Sequence, residues 1–336
     1  MKQYQSSKSQ FGYARDFLKK SSEPTLAQIS ERDRKWNMRK AFNEKVADMY
    51  RQSDEFARYA DRMSDCANFL NFILLPDEKK SSVRLELKNA RFCRVAQCPV
   101  CNWRKSLMWR YRMHNILPVI QEENPGCRFI FLTLSVKNCQ IDKLKNKMGR
   151  MNKAWGRFTK RQEFPAIGWV RTLEVTPGKE VDSDGNLRND RGHPHFHCLL
   201  MVEGSYYHSD QYLEAEDWHR LWQESLRVSY DLSIDISSIE AEREPSSIVN
   251  EVVKYCTKAS DKIRSKEWLF ELTRQMHKRK TITTGGILKD YLKDLEKEDI
   301  DLIGHDDTKV EEKIIEGELY FTWRNREKEY IMKVFD

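Results

Sequence analysis

No stretch of this 336-residue chain approaches the ~20 consecutive apolar residues that a membrane-spanning helix needs. Residues 1–20 lack the apolar core of a secretory signal, so the sequence reads as a soluble, cytoplasmic protein with no membrane partner. There is no G-x-x-x-x-G-K-[ST] loop, which removes a nucleotide-driven motor, and no G-x-S-x-G elbow. Internal repeats and low-complexity tracts are missing too. The eight cysteines come without a secretion signal and read as reduced thiols or metal ligands, not disulfides. What the chain does have is charge: 33% of its residues are Asp, Glu, Lys or Arg, with a net +7 whose distribution matters more than its sum.

Histidine is concentrated. Three of the eight histidines fall within residues 193–197, and an apolar run follows to Val202. Side chains of a strand alternate faces, so His195 and His197 point the same way and can share one divalent ion. Pro194 lacks a backbone donor and fits at or before the strand start, which favours His195/His197 over His193/His195. The plainer alternative is a buried strand whose imidazoles only bond their neighbours. Glu174 lies in a strand predicted over Gly168–Thr176. It can complete a two-His, one-carboxylate set suited to Mn2+ or Mg2+, or else pair with Arg171. The turn-rich link 181–192 makes the two strands candidate antiparallel neighbours.

Cys93-x4-Cys98-x2-Cys101 has metal-ligand spacing. A structural zinc takes four ligands, for which Cys66 is the best fourth and His114 the second. Next come Arg104 and Lys105, interleaved with Trp103 and Trp109, the mixture that binding to nucleic-acid backbone and bases requires. Residues 142–161 predict an amphipathic helix with Leu144, Met148, Met151, Trp155 and Phe158 as its stripe. Lys143, Lys147, Arg150, Arg157 and Arg161 occupy another face and are read as phosphate-binding, as is a second basic run at 262–280.

Pro245–Lys258 predicts a helix with Ser246 or Ser247 as N-cap. Helical spacing puts Glu251, Tyr255 and Lys258 on one face. A phenol of pKa ~10 becomes a nucleophile only when a cation stabilises its anion. Taken alone, that pattern is commonplace on helix surfaces.

The predicted elements run β-α-β-β-α-β-α, an α+β order with an antiparallel sheet and helices on one face. Four regions are expected: a helical extension (1–60), a zinc-binding cysteine region (61–115), a core (116–260), and a basic C-terminal region (261–336) with a terminal β-hairpin.

FLTLSV (131–136), LEVT (173–176), HPHFHCLL (193–200) and EVVKYCTK (251–258), with the cysteine region ahead of them, resemble the HUH-type initiators of rolling-circle plasmid replication. The likeness is to the group with one catalytic tyrosine and a nearby glutamate, and it covers residues 60–260 or so. It implies an HUH endonuclease core with RRM-like connectivity, a catalytic Mn2+ or Mg2+ on His195, His197 and Glu174, and a structural Zn2+. It implies that Tyr255 attacks single-stranded or hairpin origin DNA, assisted by Lys258, and that Glu251 activates water to end the round. Host helicase and DNA polymerase are the implied partners; a homodimer is left open. An HUH transposase or relaxase would share this chemistry. Two rivals come from other classes: a histidine-triad nucleotide hydrolase, since His193-x-His195-x-His197 satisfies H-x-H-x-H, and a non-catalytic zinc-containing DNA-binding regulator.

Overall fold

The computed structural model describes residues 23–77, 82–239, 263, 265–297 and 316–333. In chain order the elements are α1 (Leu26–Ile29), α2 (Lys35–Tyr50), α3 (Ala57–Ser64), β1 (Phe69–Asp77), β2 (Ser82–Ala90), α4 (Pro99–Glu123), β3 (Arg128–Ser135), β4 (Cys139–Gln140), α5 (Leu144–Phe158), β5 (Ala166–Pro177) and β6 (Arg191–Val202). They continue with α6 (Ala215–Leu226), β7 (Ile234–Ile239), α7 (Lys266–Met276), β8 (Ile282–Gly286), α8 (Ile287–Lys297), β9 (Glu316–Arg324) and β10 (Glu329–Lys333). The chain divides into two compact units, Met1–Arg104 with Asp301–Asp336, and Lys105–Ile300. No helix among the described residues is long and apolar enough to cross a membrane.

The first unit holds a four-stranded antiparallel sheet in the order β10-β9-β1-β2. Its tail hairpin pairs with the opposite end of the chain: Phe69 faces Thr322, Leu70 faces Phe321, and Asn71 faces Tyr320. Tyr330 is fully buried, its hydroxyl donating to the Ala67 carbonyl and its N–H to Asn37 Oδ1. Helix α2 buries polar side chains for a reason. A helix end leaves carbonyls without intrahelical partners. At the end of α3, Lys40 Nζ donates to the Ser64 carbonyl and Asn43 Nδ2 to that of Met63, both at 2.6 Å. Glu44, one turn on, neutralises the buried Lys40 ammonium at 2.7 Å.

The second unit holds a sheet in the order β7-β3-β6-β5-β8, antiparallel at every pairing, with β4 set against the start of β6. Taking β3, β5, β6 and β7 as first to fourth, the order reads fourth-first-third-second, with α5 and α6 in the crossovers. The predicted stripe of α5 is buried in full. It packs with α6 and α7 against Phe196, Cys198 and Leu200 of β6.

One expectation is overturned: helices cover both faces of this sheet, not one. Leu199 and Met201 of β6, Phe129 and Phe131 of β3, and Val170 of β5 pack on the reverse side with Met113 and Leu117 of α4 and Leu288 and Leu292 of α8. The cause is the composition of β6, apolar at every position from Phe196 to Val202 except the small polarity of His197. A strand apolar on both sides has to be covered on both.

Candidate metal centres

β6 lies between β3 and β5, so register decides which side chains meet. His195 faces Ser135 on one side and Glu174 on the other; His197 faces Thr133 and Thr172. All share one face of the sheet. Glu174, His195 and His197 are only 3%, 8% and 7% exposed. A single carboxylate oxygen, Glu174 Oε2, lies 3.2 Å from His195 Nε2 and 3.0 Å from His197 Nε2.

The outer ring nitrogens are held as well. His195 Nδ1 lies 3.1 Å from the His193 carbonyl oxygen, and His197 Nδ1 lies 3.2 Å from Thr133 Oγ1. A carbonyl can only accept, so His195 carries a proton on Nδ1. Its Nε2 lone pair then faces a carboxylate oxygen. Two acceptors stay that close only when a cation sits between them, either a second proton or a metal ion. Two imidazoles and one carboxylate, with supporting groups on the far nitrogens, are a donor set that fits a divalent ion.

His193 stands outside this trio. Its ring centroid is 5.1 Å from that of His195, and its Nδ1 lies 2.7 Å from Asn138 Oδ1. Thr133 and Asn138 are supporting residues that sequence reasoning did not single out. Thr133 lay within the FLTLSV segment; Asn138 carried no signal. Glu251, Tyr255 and Lys258 lie outside the described residues.

In the first unit the four thiols of Cys66, Cys93, Cys98 and Cys101 converge and are all buried. The Cys66–Cys101, Cys66–Cys98 and Cys93–Cys101 sulfur separations are 3.6, 3.6 and 3.7 Å. Disulfide bonding at ~2.05 Å is excluded. A tetrahedral ion with Zn–S of ~2.3 Å sets sulfurs ~3.8 Å apart, so the cluster has the size of a metal-thiolate site. Backbone N–H groups of Cys93, Arg94, Val95 and Cys101 point at the sulfurs. Contacts from Cys101, Cys66 and Cys98 push the Cys93 thiol far down, while the Cys101 and Cys93 contacts push Cys66 up. Ala67 and Arg94, each directly after a cysteine, adopt φ of 50° and 55°, a left-handed conformation costing about 1 kcal/mol for a residue with a Cβ. Asn43 Oδ1 accepts from the Cys98 thiol at 3.1 Å, tying α2 to the cluster. Cys66 supplies the fourth sulfur; His114 is exposed and outside the cluster.

The basic residues divide by what they already hold. Arg157 donates through Nε and Nη2 to the Ser225 carbonyl, closing the end of α6. Arg161 pairs with Glu224 at 2.7 Å, and Lys143 with Asp142 at 3.2 Å. Arg104 is buried against the rings of Trp36 and Trp103, and Lys105 is half-buried. Lys147 is half-buried and Arg150 exposed. Arg279 donates to the Lys145 carbonyl at 3.0 Å, and Gln275 Oε1 accepts the Lys145 N–H at 2.9 Å. The start of α5 and the basic run after α7 therefore adjoin.

Residues 84–331 match the family described as Replication protein. A "Protein rep" of Streptococcus pneumoniae serotype 2 (strain D39 / NCTC 7466) is 30% identical over 80% of this chain and 82% of its own. One from Bacillus amyloliquefaciens is 32% identical over 83% of this chain and 86% of its own. One from Lactiplantibacillus plantarum is 29% identical over 89% and 95%. No solved structure matches the chain.

Proposed function

The chain belongs to the plasmid replication-initiator (Rep) family, and we propose that it starts rolling-circle replication by nicking single-stranded or hairpin origin DNA through a tyrosine. The observation that carries this reading is the buried Glu174 carboxylate oxygen of β5, shared by two Nε2 atoms of the neighbouring strand β6. The fourth-first-third-second strand order supports an HUH endonuclease core, since it is the β-α-β-β-α-β arrangement with the histidine pair on a central strand.

His195, His197 and Glu174 would hold Mn2+ or Mg2+, which supplies polarisation of the scissile phosphate and neutralises its developing charge. The Tyr255 oxygen attacks phosphorus as the bond to the 3′ oxygen breaks. The 5′ side stays on the protein as a phosphotyrosine, and the leaving oxygen takes up a proton and primes a host polymerase. Lys258 stabilises the phenolate. Glu251 takes a proton from water when the regenerated origin is cleaved. The Cys66, Cys93, Cys98 and Cys101 cluster would hold structural Zn2+. A host helicase is the expected partner, and the cytoplasm the expected site. A histidine-triad hydrolase fits less well, because its middle histidine must attack phosphorus, and here that nitrogen is 3.2 Å from a carboxylate oxygen.

The test is incubation with Mn2+ and a library of single-stranded oligonucleotides, read by denaturing gel and mass spectrometry. A covalent adduct on Tyr255 is expected, and Tyr255→Phe should keep DNA binding and lose the adduct. Cleavage by the Phe variant at the wild-type rate would remove Tyr255 from the reaction.

A further inference from the structure

Beside the histidine strand, two cations gather around one aromatic ring, with a third a helical turn away. Lys137 Nζ lies 4.6 Å from the centroid of Tyr230 and Lys147 Nζ lies 5.9 Å from it. Arg150 follows Lys147 by one turn of α5, and burial, then Arg150 and Lys137, push the Lys147 ammonium below its ordinary value. Among the described residues, no carboxylate lies within ion-pair distance of Lys137, Lys147 or Arg150. The adjacent acid, Asp231, is engaged elsewhere: its Oδ1 accepts from His219 Nε2 at 2.9 Å and from the Leu232 N–H at 3.0 Å. Like charges collected without an acid between them are a site for an anion.

Its position names the anion. Lys137 is two residues beyond Ser135, which faces His195 in register. Two residues span at most ~7 Å of chain. The next residue, Asn138, holds His193 at 2.7 Å. One dipeptide therefore touches both the histidine motif and the cation cluster. We propose that Lys137 and Lys147, gathered on the Tyr230 ring, and Arg150 beside Lys147 on α5 form a phosphate-binding subsite for the single-stranded DNA that runs on from the Glu174–His195–His197 trio. The inference rests on the reading of that trio as the nicking site. The ring holds the ammonium groups in place while no DNA is bound. The charge-assisted bond to a phosphate is stronger than the cation–π contact it replaces.

The probe is fluorescein-labelled dT15 with the full chain, its Kd followed by anisotropy as salt is raised. For the Lys137→Gln/Lys147→Gln double variant, the slope of log K against log salt should shrink by about 0.7 for each phosphate released. The affinity loss should be equal on dA15, because phosphates carry no sequence information. Tyr230→Leu should weaken binding several-fold and Tyr230→Phe should not, since the ring and not the hydroxyl positions the lysines. Lys137 is exposed, so the lysine variant tests the idea even if Tyr230→Leu folds badly. A wild-type slope in the double variant, with wild-type protein binding dT15 normally, overturns the subsite and leaves the nicking reading standing. Failure of the wild-type protein to bind dT15 at all overturns both.

Discussion

Thr133→Val deletes one oxygen beside the candidate catalytic metal centre and changes little else. Valine keeps the branched shape that suits a strand, so β3 retains its ladder to β6. What disappears is the 3.2 Å contact between Thr133 Oγ1 and His197 Nδ1. A neutral hydrogen bond contributes about 1 kcal/mol net, which sets a floor of roughly five-fold weaker Mn2+ binding. Losing the Thr133 support to Nδ1, and leaving the ring freer to turn, raises the expectation toward the 10–100-fold seen when groups supporting a ligand are lost. The Phe131 ring, stacked at 6.2 Å on His197, still restrains the imidazole plane. The loss is therefore placed nearer ~10-fold than ~100-fold. Free Mn2+ measured by electron paramagnetic resonance gives the affinity directly, and Mn2+ titration of adduct formation gives it a second time. Thr133→Ser should restore both. Wild-type Mn2+ affinity in the valine variant would refute the account of how His197 is oriented.

Cys98→Ser should strip a tightly held zinc, about one per chain by elemental analysis of natively purified protein, and lower the melting temperature, because structural zinc binding is coupled to folding; natively purified protein free of zinc counts against the site. Glu251→Ala should leave initial nicking near normal while hydrolytic release at the second cleavage falls by ~10²–10⁴-fold, the usual cost of losing a general base; equal loss of both steps would make Glu251 a ligand or structural partner instead. Glu318 accepts from Lys88, Tyr320 and Asn71, and those bonds, Lys88 first, hold its carboxyl down at about 2. Its unfolded value is ~4.3. A carboxylate depressed in this way stabilises the fold above the unfolded value and loses that contribution as pH falls toward the folded one. Between pH ~4.3 and ~2 the wild-type protein should lose stability that Glu318→Gln never had; identical acid limbs in the two unfolding curves would show the bonds to be immaterial.

The candidate metal centres were legible for local reasons. A period of two put His195 and His197 on one side, and a short turn-rich link made β5 and β6 antiparallel, which set Glu174 opposite His195. The stripe of α5 declared its buried face because its spacings of three and four admit one solution. Other features depend on partners remote in sequence. Arg157 is spent on the Ser225 carbonyl, 68 residues away, and nothing in a basic run distinguishes that arginine from its neighbours. The reverse-face cover by α4 was obscured by cations. Met113, Leu117 and Ile120 recur at helical spacing, but Arg110, Arg112 and His114 around them suggest a surface. The union of the β1–β2 pair with β9 rests on long-range pairing that no window of sequence reports.

That union has a consequence for the order in which the protein comes into being. The sheet beside the four thiols needs β9, which begins at residue 316, to pair with β1, which ends at residue 77. On the ribosome, β1 and β2 emerge early but keep an open edge until the tail is made. The strands and helices between residues 128 and 297 are complete before that moment. The portion synthesised first is thus the portion finished last, and the unit that holds the histidine strand should reach its native state while the thiol cluster still waits for its outer strands. A ribosome-stalled chain ending before β9 would show this directly, with protease resistance over the later segment and none over the earlier one.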